Sequence, residues 1–123
     1  MFGMNGTTTI ERVSANNVNL KIQDLVERYV LRLGITSAYR GRKYLISVIT
    51  MGATNSTFIH RTQKEVYNCV AQMYDVDYKT IESNIRCAIS GAYKKRGVDN
   101  MPTAKEVIAD GIDAIKLAIK HKM

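Results

Sequence analysis

Lys79, Glu82, Ser83, Arg86 and Ser90 recur at three- and four-residue steps. On a helix that spacing lines them up along one side. The set could do recognition chemistry. An arginine guanidinium can donate two parallel hydrogen bonds to O6 and N7 of guanine, and a carboxylate can accept from N4 of cytosine. Lys94, Lys95 and Arg96 close the same run and suit phosphate oxygens. A second reading fits as well. Glu82 and Arg86 are i, i+4, so they also suit an ordinary surface ion pair worth roughly a few tenths of a kcal/mol.

These side chains alternate with an apolar stripe, Ile81, Ile85, Ala88, Ile89, Ala92 and Tyr93, which predicts a helix from about Tyr78 to Lys95 with Asp77 as its N-cap. Before it, Thr62-Gln63-Lys64-Glu65 is a capping box that opens a helix to Tyr74. Val66, Tyr67, Val70, Ala71 and Met73 or Tyr74 form its expected inner face. The amide-rich start at Thr62 and Lys64 is a candidate for phosphate contact. Two helices around the short break Asp75-Val76-Asp77 suggest a helix-turn-helix over residues 62–96. Ala71 is the small residue that lets the helices cross, Val76 the apolar plug and Ile81 the inward contact. Asp75 stands where Gly usually makes the turn, and Asn84 where an apolar residue is frequent. Asp tolerates left-handed backbone better than most residues. Paired helices of an ordinary bundle share this spacing, so both readings stay open at this point.

The remaining chain must supply the scaffold. Ile22, Leu25, Val26, Tyr29, Val30 and Leu33 predict a helix over residues 20–33, stopped by Gly34. A second begins near Ser37 or Tyr39 and runs to Ala53, burying Tyr44, Leu45, Val48 and Ile49. Arg40, Arg42 and Lys43 crowd its first turn, where cations oppose the macrodipole by roughly 0.3–1 kcal/mol each. Nearby phosphate and plain solvation are both possible reasons. Gly41 either permits close helix packing or loosens the start. Residues 52–61 read as a polar loop tethered by Phe58 and Ile59. Pro102-Thr103 starts a last helix carrying Val107, Ile108, Ile112, Ile115, Ala118 and Ile119. No stretch alternates with period two. The fold class is therefore all-α, about five helices around one core. Residues 1–19 form a flexible lead-in or linker, and residues 20–123 the helical domain.

Charge is unevenly spread. The 123-residue chain carries a formal +7. Residues 1–59 hold +4, residues 60–96 hold +3, and residues 97–123 are neutral. Nucleic acid is the obvious acidic partner for such a distribution. No apolar run approaches the ~20 residues of a membrane span, and Met1–Thr9 has no signal-peptide pattern, so a cytoplasmic location is expected. Cys69 and Cys87 read as reduced small hydrophobes without metal-ligand spacing to His60 or His121. No nucleophile, base and orienting group can be assembled, which argues against an enzyme. No cofactor, metal or small-molecule substrate is expected.

A family resemblance emerges from these residues. Leu33-Gly34-Ile35, Gly41 with Tyr44-Leu45, and Tyr67 with Val70-Ala71 are its landmarks. The strongest is Ile81-Glu82-x-x-Ile85-Arg86-x-Ala88-Ile89-x-x-Ala92, closing on Arg96-Gly97 before Pro102-Thr103. Over residues 20–120 the chain resembles the C-terminal effector domain of the stage zero sporulation protein A family, a response regulator of endospore-forming bacteria. The resemblance implies binding of double-stranded DNA at short, often tandem promoter boxes, self-association on such sites, and contact with RNA polymerase. It places Glu82 and Arg86 at base-contacting positions.

Departures accompany the resemblance. Ser83 stands where the family typically has a base-contacting Arg, a loss of ~1–3 kcal/mol of discrimination. Cys87 replaces a polar neighbour, and Asn68 and Tyr93 stand where Pro and Trp are usual. The Gly97–Pro102 connection is short and is expected to lack the family's small extra helix. Residues 1–19 cannot form a receiver domain, so an excised domain or a stand-alone relative is expected. The alternative function is a non-enzymatic interaction module that pairs with a full-length regulator and binds DNA weakly or not at all.

Overall fold

The computed structural model describes residues 21–55 and 62–122, the side chain of Lys122 excepted. Five helices appear in them and no strand. They are α1 over residues 21–32, α2 Gly41–Thr54, α3 Gln63–Tyr74, α4 Tyr78–Lys95 and α5 Ala104–Lys122. The lead-in expected for residues 1–19 and the Phe58–Ile59 tether lie outside the described residues.

The periodic apolar residues meet in one core. Val26, Val30, Ile35, Leu45, Ile49, Val70, Ile81 and Ile85 are all 0% exposed, one contribution or more from each of the first four helices. Val107 and Ile115 add α5. No polar or charged residue is buried among those described, and the hydroxyl of the buried Tyr67 is met by Gln63. Each such side chain taken from water contributes about 1.5–3 kcal/mol. Of the alternatives Met73 and Tyr74 for the inner face of α3, the structure realises Tyr74 and leaves Met73 outside. It is 62% exposed, while Tyr74 packs inward and bonds Ser47 of α2, hydroxyl to hydroxyl, at 2.9 Å.

α2 is the hub. It packs against α3, α4 and α5, whereas α4 and α5 barely touch. Its start differs from the expected Ser37 or Tyr39. Residues 37–40 form turns, and the helix begins at Gly41. Arg40 is therefore the N-cap, and only Arg42 and Lys43 lie in the first turn. A Cβ at Gly41 would overlap the backbone carbonyl of Asn84 and come within 2.9 Å of the Ile85 amide nitrogen. Of the two sequence readings of Gly41, close packing is the one realised.

α1 ends in a Schellman motif. The Gly34 amide donates to Leu31 O at 2.8 Å and the Ile35 amide to Val30 O at 3.3 Å, with Gly34 at φ 90°. Ile35 is thereby turned into the core. α5 starts at a second capping box that was not read from the sequence. The Thr103 hydroxyl accepts from the Glu106 amide at 3.2 Å, and the Glu106 carboxylate accepts from the Thr103 amide at 3.0 Å. The Thr103 amide and hydroxyl, both donating to it, hold the Glu106 carboxyl below its ordinary range. The Tyr29 hydroxyl donates to Val107 O at 3.0 Å and ties α1 to α5.

Two predictions follow from this packing. Gly41→Ala meets backbone, which cannot rotate away. The overpacking cost of ~1–3 kcal/mol outweighs the ~0.5–1 kcal/mol gained from helix propensity, so urea unfolding should show a loss of about 1–2 kcal/mol. The second concerns alkaline pH. Burial first, then the neighbouring Asp110 and Tyr93, push the Tyr29 phenol up to about 12 from 10.0. The folded state holds its proton more tightly than the unfolded state. Its contribution is full below pH 10 and is lost as pH rises towards 12. Thermal melts across that window should fall with pH, and Tyr29→Phe should flatten the fall.

Candidate nucleic-acid interface

The turn between α3 and α4 decides what α4 presents. It repeats the Schellman geometry of α1. The Val76 amide donates to Ala71 O at 2.9 Å and the Asp75 amide to Gln72 O at 3.4 Å. Asp75 takes the left-handed conformation, φ 55° and ψ 50°, the only described residue other than glycine with positive φ. Val76 packs against the core as the expected plug, and Ala71 and Ile81 are buried between the helices. Thr62 and Glu65 form the expected capping box, with the Glu65 amide 3.2 Å from the Thr62 hydroxyl and the Thr62 amide 3.2 Å from the Glu65 carboxylate. Asp77 occupies the N-cap position of α4, but its carboxylate makes no capping bond. Its backbone carbonyl accepts from the Thr80 and Ile81 amides instead.

α4 spans Tyr78–Lys95 as expected, with Ile81, Ile85, Ala88, Ile89 and Ala92 buried. The opposite side holds Lys79, Ser83 and Arg86, all exposed, with Glu82 at its border. The Arg86 guanidinium donates to the Glu82 carboxylate at 3.0 Å. The pair is open to solvent, with side chains 68% and 42% exposed, so its stabilising value is small. It places the Arg86 guanidinium beside Glu82 on the outer side of α4. Behind it the Tyr67 hydroxyl accepts from Gln63 Nε2 at 2.7 Å. Burial raises the Tyr67 phenol, and Glu82 adds to the rise.

The other predicted residues frame this face. Lys64 is exposed, with its ammonium 5.6 Å from the centre of the Tyr78 ring at the start of α4. Thr62 has its amide and hydroxyl both turned to Glu65. Lys94 and Lys95 are exposed in the last turn of α4, and the Arg96 guanidinium stacks 4.6 Å from the Tyr93 ring. Gly97, at φ 72°, ends the helix by a third Schellman motif through Tyr93 O and Lys94 O. The connection from there to Thr103 contains no helix. Lys79, Glu82, Ser83 and Arg86 thus come together on one face. Thr62 and Lys64 stand at the start of the neighbouring helix, and the basic triplet lies at the far end of α4.

Cys69 and Cys87, read as reduced small hydrophobes, are both free thiols; Cys69 is half-buried and Cys87 is exposed beside Arg86. The signal for that exposure was present, because Cys87 lies one turn after Ser83 and off the Ile85–Ile89 stripe. Asn84 is also explained. It is half-buried at the edge of α4, and it is its backbone that meets Gly41.

An all-helical domain with a supported helix-turn-helix, one polar helix face and a basic surround defines the class of helix-turn-helix DNA-binding domains. The family model described as Sporulation initiation factor Spo0A C terminal matches residues 26–114, and the chain belongs to that family. It is thereby a DNA-binding effector domain of the sporulation-regulator type. No solved structure matches the chain. No helix among the described residues is long and apolar enough to cross a membrane.

The left-handed residue at the turn is testable. Left-handed backbone costs an ordinary L-residue ~1–2 kcal/mol, and Gly removes that cost but adds entropy to the unfolded chain. Asp75→Gly should raise stability by about 0.5–1 kcal/mol in urea unfolding. Asp75→Val, β-branched and so more strained there than Asp, should lower it by up to about 1 kcal/mol.

Proposed function

We propose that the domain is a sequence-specific transcription regulator that lays α4 in the major groove of double-stranded DNA. The observation that carries this reading is the exposed Lys79–Glu82–Ser83–Arg86 face, held outward by a helix-turn-helix whose inner face is fully buried. Arg86 is the principal base reader, and Glu82 orients it and accepts from a base amino group. Lys79 and Ser83 read or border the same site. Ser83 is too short to replace a bidentate arginine, so the neighbouring base pair is read loosely.

Phosphate contacts fall to Lys64, Lys94, Lys95 and Arg96. Thr62 contributes through its place at the head of α3 rather than through its own amide, which Glu65 occupies. Binding to tandem boxes brings copies together, and contact with RNA polymerase follows from recruitment to promoters. The expected location is the cytoplasm, where the DNA is.

Selection of bound sequences from random duplexes, followed by anisotropy titration against a scrambled duplex at matched salt, tests the reading. A preferred site bound at least tenfold more tightly than scrambled DNA is expected. Equal affinity would rule out specificity, and no binding to either would rule out the DNA role. Arg86→Ala should lose ~1–3 kcal/mol on the preferred site and little on scrambled DNA. Lys95→Ala should weaken both alike and lower the salt slope by about one.

A further inference from the structure

We propose that the basic segment entering α2 is a second phosphate clamp, gripping a DNA strand where the start of α2 meets α4 and the α3–α4 turn. The proposal rests on the DNA reading above and extends it to Arg40, Arg42 and Lys43.

Placement is the first argument. Successive residues of α4 are rotated by about 100°, so Asn84 and Gly91, seven apart, share one edge. Both edge residues meet the start of α2. Gly41 closes on the Asn84 carbonyl, and a Cβ at Gly91 would come within 2.8 Å of the Tyr39 ring. The other edge of α4 belongs to α3, where Lys64 lies over Tyr78 and the Glu82–Arg86 pair bears on Tyr67. Lys79, Ser83, Arg86 and Cys87 are exposed between the two. A reading face with a shoulder beside it suits a major groove, which is bounded by phosphate strands.

Charge is the second argument. Three cations fall within four residues, and the first turn of α2 contains no acid. None of the three is ion-paired among the described residues. Arg42 Nε is buried without a hydrogen-bond partner. The Lys43 ammonium is held 5.3 Å from the Tyr44 ring centre and 5.4 Å from that of Tyr74, beside the turn into α4. Cations at a helix start oppose its macrodipole. A phosphate strand along this shoulder reverses that penalty and meets both Arg40 and Lys43.

The test uses Arg40→Gln with Lys43→Gln, both at exposed positions, and the single Arg40→Gln. Their folded state is checked by circular dichroism. Anisotropy titrations on the selected duplex and on scrambled DNA are run from low to moderate salt. Each lost contact should lower the log–log salt slope by about 0.9, so the double variant should lose about twice what the single one loses. Affinity for both duplexes should fall by a common factor. Lys21→Gln with Lys120→Gln removes the same charge elsewhere and should leave the slope at the wild-type value. Equal slopes for the two double variants would overturn the clamp, because overall charge alone would then explain binding. Failure of the wild type to bind either duplex would remove the DNA reading itself, and the clamp with it.

Discussion

The backbone of α2 rests on the backbone of α4 at Gly41, and the orientation of the rest of the domain depends on that contact. Any side chain there would strike the Asn84 carbonyl. Because neither backbone can rotate out of the way, the approach is rigid in a way that a contact between flexible side chains is not. α2 also packs on α3 and α5, so one helix sets the position of the other three. With Ile81, Ile85 and Ala88 held inward by this arrangement, Lys79, Ser83 and Arg86 have only the outer side left to them.

Backbone chemistry at helix ends fixes the remaining angles. α1, α3 and α4 each close with the same paired amide-to-carbonyl bonds and a left-handed residue, Gly34, Asp75 and Gly97. In α1 and α3 the next residue, Ile35 or Val76, then turns into the core or against it. α4 differs. Val98 after it is 39% exposed, which matches the loose packing of α4 on α5. At the other ends, α3 and α5 begin with equivalent Thr–Glu capping boxes. These local devices let a core without a buried polar residue specify one arrangement of its helices.

The electrostatics are organised by tyrosine as well as by charge. Lys43, Lys64 and Arg96 each lie against an aromatic face. An exposed cation held this way gains about 0.5–1 kcal/mol and gives up part of its conformational freedom before any partner arrives. Side chains ordered in advance lose less entropy on binding. Together with the Glu82–Arg86 pair, they surround α4 with cations whose directions are already restricted.

The sequence by itself determined the helices and their faces. The 3.6-residue periodicity of Ile81, Ile85 and Ile89, the Thr62–Glu65 box and Gly34 are local signals, and the elements form where those signals lie. The Lys79–Glu82–Ser83–Arg86 face was legible for the same reason, since a buried stripe implies its opposite. Tertiary structure decided what depends on neighbours distant in the chain. α4 lies against the first residue of α2, Gly41, so closely that no side chain fits there. Tyr74, not Met73, turned inward and met Ser47, and Cys87, small and apolar by type, was left exposed. The place of Arg40, Arg42 and Lys43 also belongs here. Their charge is written in the sequence, but the edge of α4 they stand beside is set by backbone contact between residues more than forty positions apart.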